Sequence, residues 1–391
     1  MKWEKTEIGT LVVLRQGFAI NKKTSHHISE EPTPLHLLRI GDMKDGNFSI
    51  YVKDTIPEQF IAKKDDIIYT RTGQVGLVFK GQQGIVHNNC FTVTAKDSEI
   101  LLQEFLYYTL KGKNFYVEAI SRATGAAQPD LPHGAFNSIQ IFLPPLEKQK
   151  KIADVLQAYD DLIENNQKQI KLLEEVAQRL YKEWFVDFRF PGYEDTKFID
   201  GIPDGWRKGV LGDLAENTGK SEKKQNRNKY NCYLPIDCLP KKSLVCIDSS
   251  DINLAESSLF AFKPYDILFG AMRPYFHKVV IAQDIGLTRS TCFILNSKEK
   301  NYWSFLAMLL FAEDTINYAT GISVGTTMPY VRWKDFAQMP ILIPTEPVCV
   351  DFNRHFMHIS NKISNLAKQN NKLTQARDRL LPKLMSGEIE V

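Results

Sequence analysis

The sequence predicts an α+β protein: two similar globular units joined by two long helices that pair antiparallel about a pseudo-two-fold axis. Three observations carry this. The chain repeats itself at a distance of 200 residues, each repeat begins as a series of short β-like runs, and each ends in a long stretch with a heptad beat. Repeats are read first because they fix the architecture. Ile141-Phe142-Leu143-Pro144 returns as Ile341-Leu342-Ile343-Pro344, Asp66-Ile67-Ile68 as Asp266-Ile267-Leu268, Phe105-Leu106 as Phe305-Leu306, and Arg179-Leu180 as Arg379-Leu380. The openings match with a small slip: Trp3, Ile8-Gly9 and Leu11 answer Trp206, Leu211-Gly212 and Leu214.

The first unit covers residues 1–145. Runs such as Leu11–Leu14, Phe48–Val52, Ile67–Tyr69, Gly76–Phe79 and Phe91–Val93 are broken by Gly, Pro and Asn and read as strands. Ile100 to Ile120 is apolar-periodic and reads as a helical segment. The unit closes with a strand over 139–143 and the Pro144-Pro145 stop. Residues 146–188 then form the first long helix. No Gly or Pro occurs from Glu147 to Phe185, which gives a rod of roughly 55–58 Å at ~1.5 Å per residue. Residues 189–205 read as a linker, 206–345 as the second unit, and 346–391 as the second long helix, its start expected near residue 349.

One seam position of the heptad carries Ile152, Tyr159, Leu173 and Leu180, interrupted by Asn166. Val155, Leu162, Ile170, Val176 and Trp184 lie near the other. The second helix carries Phe352, Ile359, Leu366, Leu373 and Leu380, the same series 200 residues on. A seam this narrow over five heptads fits a helix partner better than a broad globular face. Two amphipathic helices packed separately on their own units are the alternative. Asn166 and the Gln369-Asn370 pair either pin the register or are solvated at a frayed seam.

Composition narrows the function. The chain is 391 residues long, 43% hydrophobic and 24% charged, ordinary values for a soluble globular protein of two or three domains. No apolar run approaches a membrane span. Met1-Lys2-Trp3-Glu4-Lys5 has no signal-peptide core, so a cytoplasmic location is expected. A net charge of +3 excludes a bulk polycation and leaves room for local basic patches. Six cysteines form no CxxC pair; Cys90 and Cys292, each before Phe, read as core residues.

Catalytic motifs are mostly missing. Gly219-Lys220-Ser221 looks like the end of a phosphate loop, but Leu214 stands where the first glycine belongs. No Asn-Pro-Pro-aromatic or Asp-Pro-Pro-aromatic tetrad is present to hold an extruded adenine. Asp204, Glu222 and Lys224 fit a permissive nuclease pattern, but Glu222 sits in an all-polar stretch. The histidines lack HxH or HExxH metal spacing, and His26-His27 reads as an exposed loop pair. No metal site is expected.

Nucleic acid is the better match. Lys220, Lys223, Lys224, Arg227 and Lys229 surround a single acid, Glu222, among amide side chains that can read base edges. The first unit has a polar loop at the corresponding place, with Lys22, Lys23, His26 and His27. Arg71, Thr72 and Gln74 follow one Asp-Ile-Ile turn; Arg273, Tyr275, His277 and Lys278 follow the other. Arg122, Gln128, Arg332 and Lys334 are weaker candidates. Solvated surface loops are the plain alternative, but repeats that share cores and differ in loops suggest one scaffold with two readouts.

These features resemble the specificity subunit of type I restriction-modification enzymes over the whole chain. Leu143-Pro144-Pro145-Leu146-Glu147-Lys148-Gln149-Lys150-Lys151-Ile152-Ala153 looks like the approach to that family's first conserved helix. Glu183-Trp184-Phe185-Val186-Asp187-Phe188 is similar to its exit, and Ile202-Pro203-Asp204-Gly205-Trp206 to the start of its second target-recognition domain. Pro344-Thr345-Glu346-Pro347 departs from the pattern by lacking the Gln-Lys-Lys-Ile part. The resemblance implies a non-catalytic subunit that reads a split double-stranded DNA target, one half per domain, with the helices setting the gap. It further implies two modification subunits carrying S-adenosylmethionine, and restriction subunits carrying ATP-driven translocation and Mg2+-dependent cleavage. No cofactor is expected on this chain. With a duplex turn of ~34–36 Å, the half-sites are expected about one turn apart.

Overall fold

A computed structural model describes residues 3–46 and 48–391; Met1, Lys2 and Asn47 lie outside the described residues, and with them the first two residues of the amino-terminal reading. Two compact units form. One comprises residues up to Asp161 together with Thr374–Val391, the other Leu162–Leu373. The partition differs from the five segments expected, because each long helix gives one part to each unit.

In the first unit, Glu4–Glu7 pairs antiparallel with Gln140–Leu143, so the ends of the globular part close on each other. A one-turn helix, Ile8–Leu11, leads into a four-stranded sheet ordered Val12–Gln16, Cys90–Ala95, Ile67–Thr70 and Val78–Phe79. Strand alternation sends the two faces of this sheet to different cores. Ile67, Tyr69, Phe91 and Val93 meet Phe105, Leu106 and Phe136. Ile68 and Cys90 meet Leu38, Ala62 and Val86 of a second sheet, ordered Ile28–Ser29, Tyr51–Val52, Leu35–Leu38, Gly84–Val86 and Ile61–Ala62.

The single helix expected over 100–120 is instead two, Gln103–Lys111 and Lys113–Arg122, broken where Gly112 turns extended. The break returns at Ala312 between Trp303–Phe311 and Glu313–Gly321, so glycine is not its cause. A straight helix would carry the second apolar face (Phe115 and Ala119; Ile316 and Ala319) away from its sheet; the bend keeps these residues buried.

The second unit repeats this plan. Arg207–Val210 pairs with Pro340–Ile343, and a four-stranded sheet follows in the same order: Ala215–Asn217, Cys292–Ser297, Ile267–Gly270 and Val279–Ile281. The distal sheet differs, with four strands ordered Lys220–Glu222, Leu259–Phe262, Gly286–Arg289 and Cys232–Tyr233. The segment read as a linker is packed: Phe190 is buried and stacks on Trp206 at 5.5 Å.

The long helices span Leu146–Tyr181, prolonged by a π-helical turn over Lys182–Val186, and Glu346–Ser386. The second begins three residues earlier than expected. Pro347 falls in its first turn, where no backbone donor is needed. Within each unit the helices pair antiparallel. In the first, Asp160 accepts from Arg377 at 2.5 Å and Ile152 shares a core with Leu381 and Leu384. In the second, Asn166 donates to Asn370 at 2.9 Å, and Trp184 lies 5.6 Å from Phe352.

The seam is rotated from the predicted one. Ile152, Phe352 and Leu366 are buried, but Tyr159, Leu173, Leu180, Ile359, Leu373 and Leu380 are only half-buried. Leu162 and Val176 are 51% and 50% exposed. The dry face also runs through Asn166, Glu174, Ala177, Ser360 and Asn370. Small and polar residues share it with Leu156, Ile170, Phe356 and Ile363, so a search for large apolar side chains alone misplaces it. Cys90, Cys292 and Cys349 are buried, and all six thiols are free.

Candidate nucleic-acid interface

In the first unit the loop before Ile28–Ser29 presents Lys22 and Lys23 exposed. Asn21 shapes it: its side-chain oxygen accepts from the Lys23 backbone, and its own backbone N–H donates to Thr24 Oγ1. His26 and His27 are ring partners, 4.1 Å apart, and His27 Nδ1 lies 2.7 Å from Thr55 Oγ1. They are part of the loop's own packing.

The turn after Ile67–Thr70 is tied at nearly every side chain. Arg71 is clamped to Asp130 through Nε and Nη2, at 3.2 and 2.6 Å, and donates Nη1 to Gln16 at 3.0 Å. Thr72 donates to the same carboxylate at 2.5 Å. The Arg71 guanidinium holds Asp130 below the usual carboxylate range. Both residues predicted as readers thus fasten the turn to the hairpin 124–130. Gln74 alone projects into solvent, with Lys44 Nζ 3.5 Å from its oxygen.

The corresponding turn of the second unit is built differently. Gly73 donates its backbone N–H to Pro129, as Arg273 does to Pro329. Arg273 therefore answers Gly73, both in the left-handed region at φ 83° and 50°, and the structural counterpart of Arg71 is the buried Ala271. Tyr330 stands where Asp130 does: each pairs across its turn and with its hairpin, Asp130 with Thr72 and Thr124, Tyr330 with Met272 and Val324. Arg273 donates to Thr327 at 3.2 Å, and Tyr275 is 49% exposed.

His277 does not fit a base contact. It is 4% exposed, with Nδ1 3.1 Å from Glu313 and Nε2 3.0 Å from the Phe311 carbonyl. Burial lowers its pKa, against the raising pull of the Glu313 carboxylate and the Phe311 carbonyl. The sequence showed a basic residue beside a turn but not the core that closes over it. Lys278 likewise donates inward, to the Ile236 carbonyl at 2.7 Å.

In the basic stretch Lys220, Lys223 and Lys224 are exposed and Arg227 half-exposed. Lys224 pairs with Glu256 at 2.8 Å, and Arg227 donates to the Asn253 carbonyl at 3.1 Å. Glu222, the acid of the nuclease pattern, accepts from Tyr230 (2.6 Å), Asn226 (2.8 Å) and the Lys223 backbone (2.7 Å). The tyrosine hydroxyl foremost, then the amides, pull its pKa down to about 2. It is the knot of its loop. Arg122 pairs with Glu118 at 2.9 Å and Arg332 with Asp335 at 2.6 Å. Among the described residues, no group of three His, Cys, Asp or Glu side chains could hold a metal, and no helix is long and apolar enough to cross a membrane.

Sequence reasoning missed Lys44 and Asn89, which share a cleft of about 320 Å³ with Gln74. It also missed Glu174, a buried carboxylate on the first long helix that accepts from Ser243 Oγ and the Leu244 backbone, each at 2.7 Å. A lone acid on a helix carries no pattern that would mark it.

Residues 1–175 match the family described as Type I restriction modification DNA specificity domain. The chain is 32% identical over 359 residues to the type I restriction enzyme MjaIX specificity subunit of Methanocaldococcus jannaschii, across 85% of this chain and 79% of that one. It is 26% identical to the MjaVIII specificity subunit of the same organism, across 100% and 93%. Among solved structures, the S subunit of a type I restriction-modification system from M. genitalium matches with a TM-score of 0.60 at 17% identity, over 98% of this chain and 96% of that one; at that identity the likeness concerns the fold. Identity spread over most of both chains, on a twice-used scaffold, settles the matter: the chain belongs to the family of type I restriction enzyme specificity subunits.

Proposed function

We propose that each globular domain reads one half of a bipartite double-stranded DNA target, and that the long helices set the unread gap. Two modification subunits, and restriction subunits beyond them, assemble on this chain in the cytoplasm. S-adenosylmethionine, ATP and Mg2+ belong to those partners. The observation that carries the reading is selective repetition. The Glu4–Glu7/Gln140–Leu143 pair, the first sheet and the helix pair of the first unit recur strand for strand in the second. The distal sheets and turn residues do not recur. Shared backbone with unlike surface chemistry suits two readers of two different sequences.

Co-expression with the cognate modification subunits, followed by mapping of methylated adenines, tests it. Exchanging residues 1–145 for those of another family member should change one half-site and leave the other. Inserting one heptad in each long helix should lengthen the gap; an unchanged gap would sink the spacer role. The contact set behind the reading is Lys22, Lys23 and Gln74 in the first domain, with Lys220, Lys223, Lys224, Arg227, Arg273 and Tyr275 in the second. The nuclease alternative requires Glu222 to be free for a metal. Full activity of a complex carrying Glu222→Ala rejects that alternative.

A further inference from the structure

The turn 70–77 of the first domain is held with unusual completeness. Thr70 donates through its hydroxyl to the Gln74 carbonyl, and the Leu77 backbone donates back to that hydroxyl at 2.9 Å. The Asn89 carbonyl accepts from the backbones of Arg71 and Thr72, at 2.8 and 3.2 Å. Gly73 donates to Pro129 at 2.8 Å. Arg71 and Thr72 are locked to Asp130, and Val75 is buried. At Gly76 (φ 94°) a Cβ would lie 2.5 Å from the Tyr116 ring, so the turn also seats against a helix. Of the polar side chains on this turn, only Gln74 is left to act outward.

Gln74 opens on the 320 Å³ cleft together with Lys44 and Asn89. Gly41 and Gly73 line the same cleft, and a Cβ on either would meet nothing within 4 Å, so its mouth stays open. Lys44 Nζ lies 3.5 Å from Gln74 Oε1. An ammonium there favours the amide rotamer with its oxygen toward the lysine and its NH2 turned away. Glutamine offers one acceptor and one donor side by side, the pattern that matches adenine N6–H and N7 in the major groove. A rigid support lets such a group bind without a large ordering cost.

The geometry points to Gln74 as the residue that reads an adenine in the half-site of the first domain, with Lys44 as its positioning residue. The second domain has no counterpart: Pro274 stands at that place. The inference rests on the two-reader function proposed above and assigns one base within it. Methylation mapping of the complex is the test. Gln74→Ala should blur one adenine of the first half-site, at a cost of about ten- to a hundredfold in preference for that base, the range of one bidentate contact. Gln74→Glu removes the donor and leaves acceptors, so the same position should move toward cytosine, whose N4–H2 donates. Lys44→Met should weaken preference at that position while changing no other.

The second half-site, read in the same molecules, controls for folding and assembly. An unchanged first half-site in Gln74→Ala overturns the assignment. So does a change in the second half-site, or loss of definition spread over the whole first half-site in both Gln74 variants. A domain exchange that leaves both half-sites as they were sinks the two-reader function instead. The two failures are therefore distinguishable.

Discussion

The feet of the two domains, where each meets the helix pair, occupy equivalent places and are built on opposite principles. In the first, Asp160 accepts from Arg377 (2.5 Å) and from the Tyr108 hydroxyl (3.0 Å), with Lys111 at 3.6 Å. Two hundred residues away the same positions hold Ser360, Ala177, Met308 and Phe311, all buried. There the load passes to aromatic packing, with Phe185 4.7 Å from Phe305 and 4.8 Å from Phe352. One backbone thus accepts a charged network or an apolar plug at the same joint. What each requires is that nothing be left half-made: a satisfied network is tolerated, and a broken one costs far more than either complete solution.

The strongest way to break the comparison is to open the apolar foot. Phe352→Ala removes a fully buried ring and should lower stability by about 3–5 kcal/mol, read as a drop in the urea midpoint. Next comes the polar foot. Asp160→Ala leaves the Tyr108 hydroxyl without its acceptor and Arg377 with Asp378 alone, and should cost about 1–3 kcal/mol. Replacing the whole network by its counterparts (Asp160→Ser, Arg377→Ala, Tyr108→Met, Lys111→Phe) should cost less than Asp160→Ala alone, because no half-buried member of the network is left without its partner. A larger loss in the fourfold variant would mean the feet are not interchangeable.

A smaller effect is expected where the second domain reaches the helices through its loop 243–247. Glu174 holds this loop, and Val245 packs on Ile170, Ile363 and Leu366. Glu174→Ala should cost about 1–3 kcal/mol and speed amide exchange at Leu244. Glu174→Gln keeps an acceptor and should restore most of the protection. The mildest test is pH. Burial lowers the pKa of His277 in the second domain and of His87 and His133 in the first, all below their ordinary 6.5. The unfolded chain then binds protons more readily than the folded one. Stability should be full above pH 6.5 and fall as pH drops below it, seen as a lower Tm at pH 5.5 than at 7.5. A Tm that rises toward pH 5.5 would contradict the lowered pKa of these three histidines.

Much of the plan was readable from residue order. The 200-residue echo predicted the matched sheets, and the Asp-Ile-Ile and Asp-Ile-Leu runs fell on strands Ile67–Thr70 and Ile267–Gly270. Cys90 and Cys292 were legible as core because each sits in a run buried on both faces. The reading turns were less legible. Arg71 and Arg273 look alike in sequence, yet one is clamped by Asp130 and the other answers a glycine. His277 reads as a basic turn residue until Glu313 and Phe311 close on it.

By itself the sequence determined the duplication, the heptad rods and the family, because these rest on periodicity and on order along the chain. Only the tertiary structure decided which polar side chains are engaged and which remain free. Asp130, Asn370 and Glu313 lie 59, 204 and 36 residues from the groups they satisfy. A hydrogen bond is settled within about 3 Å of space, and no local pattern encodes a partner that far along the chain. For the same reason Gln74 emerges as the one outward-facing polar side chain of its turn only once every neighbour's partner is known.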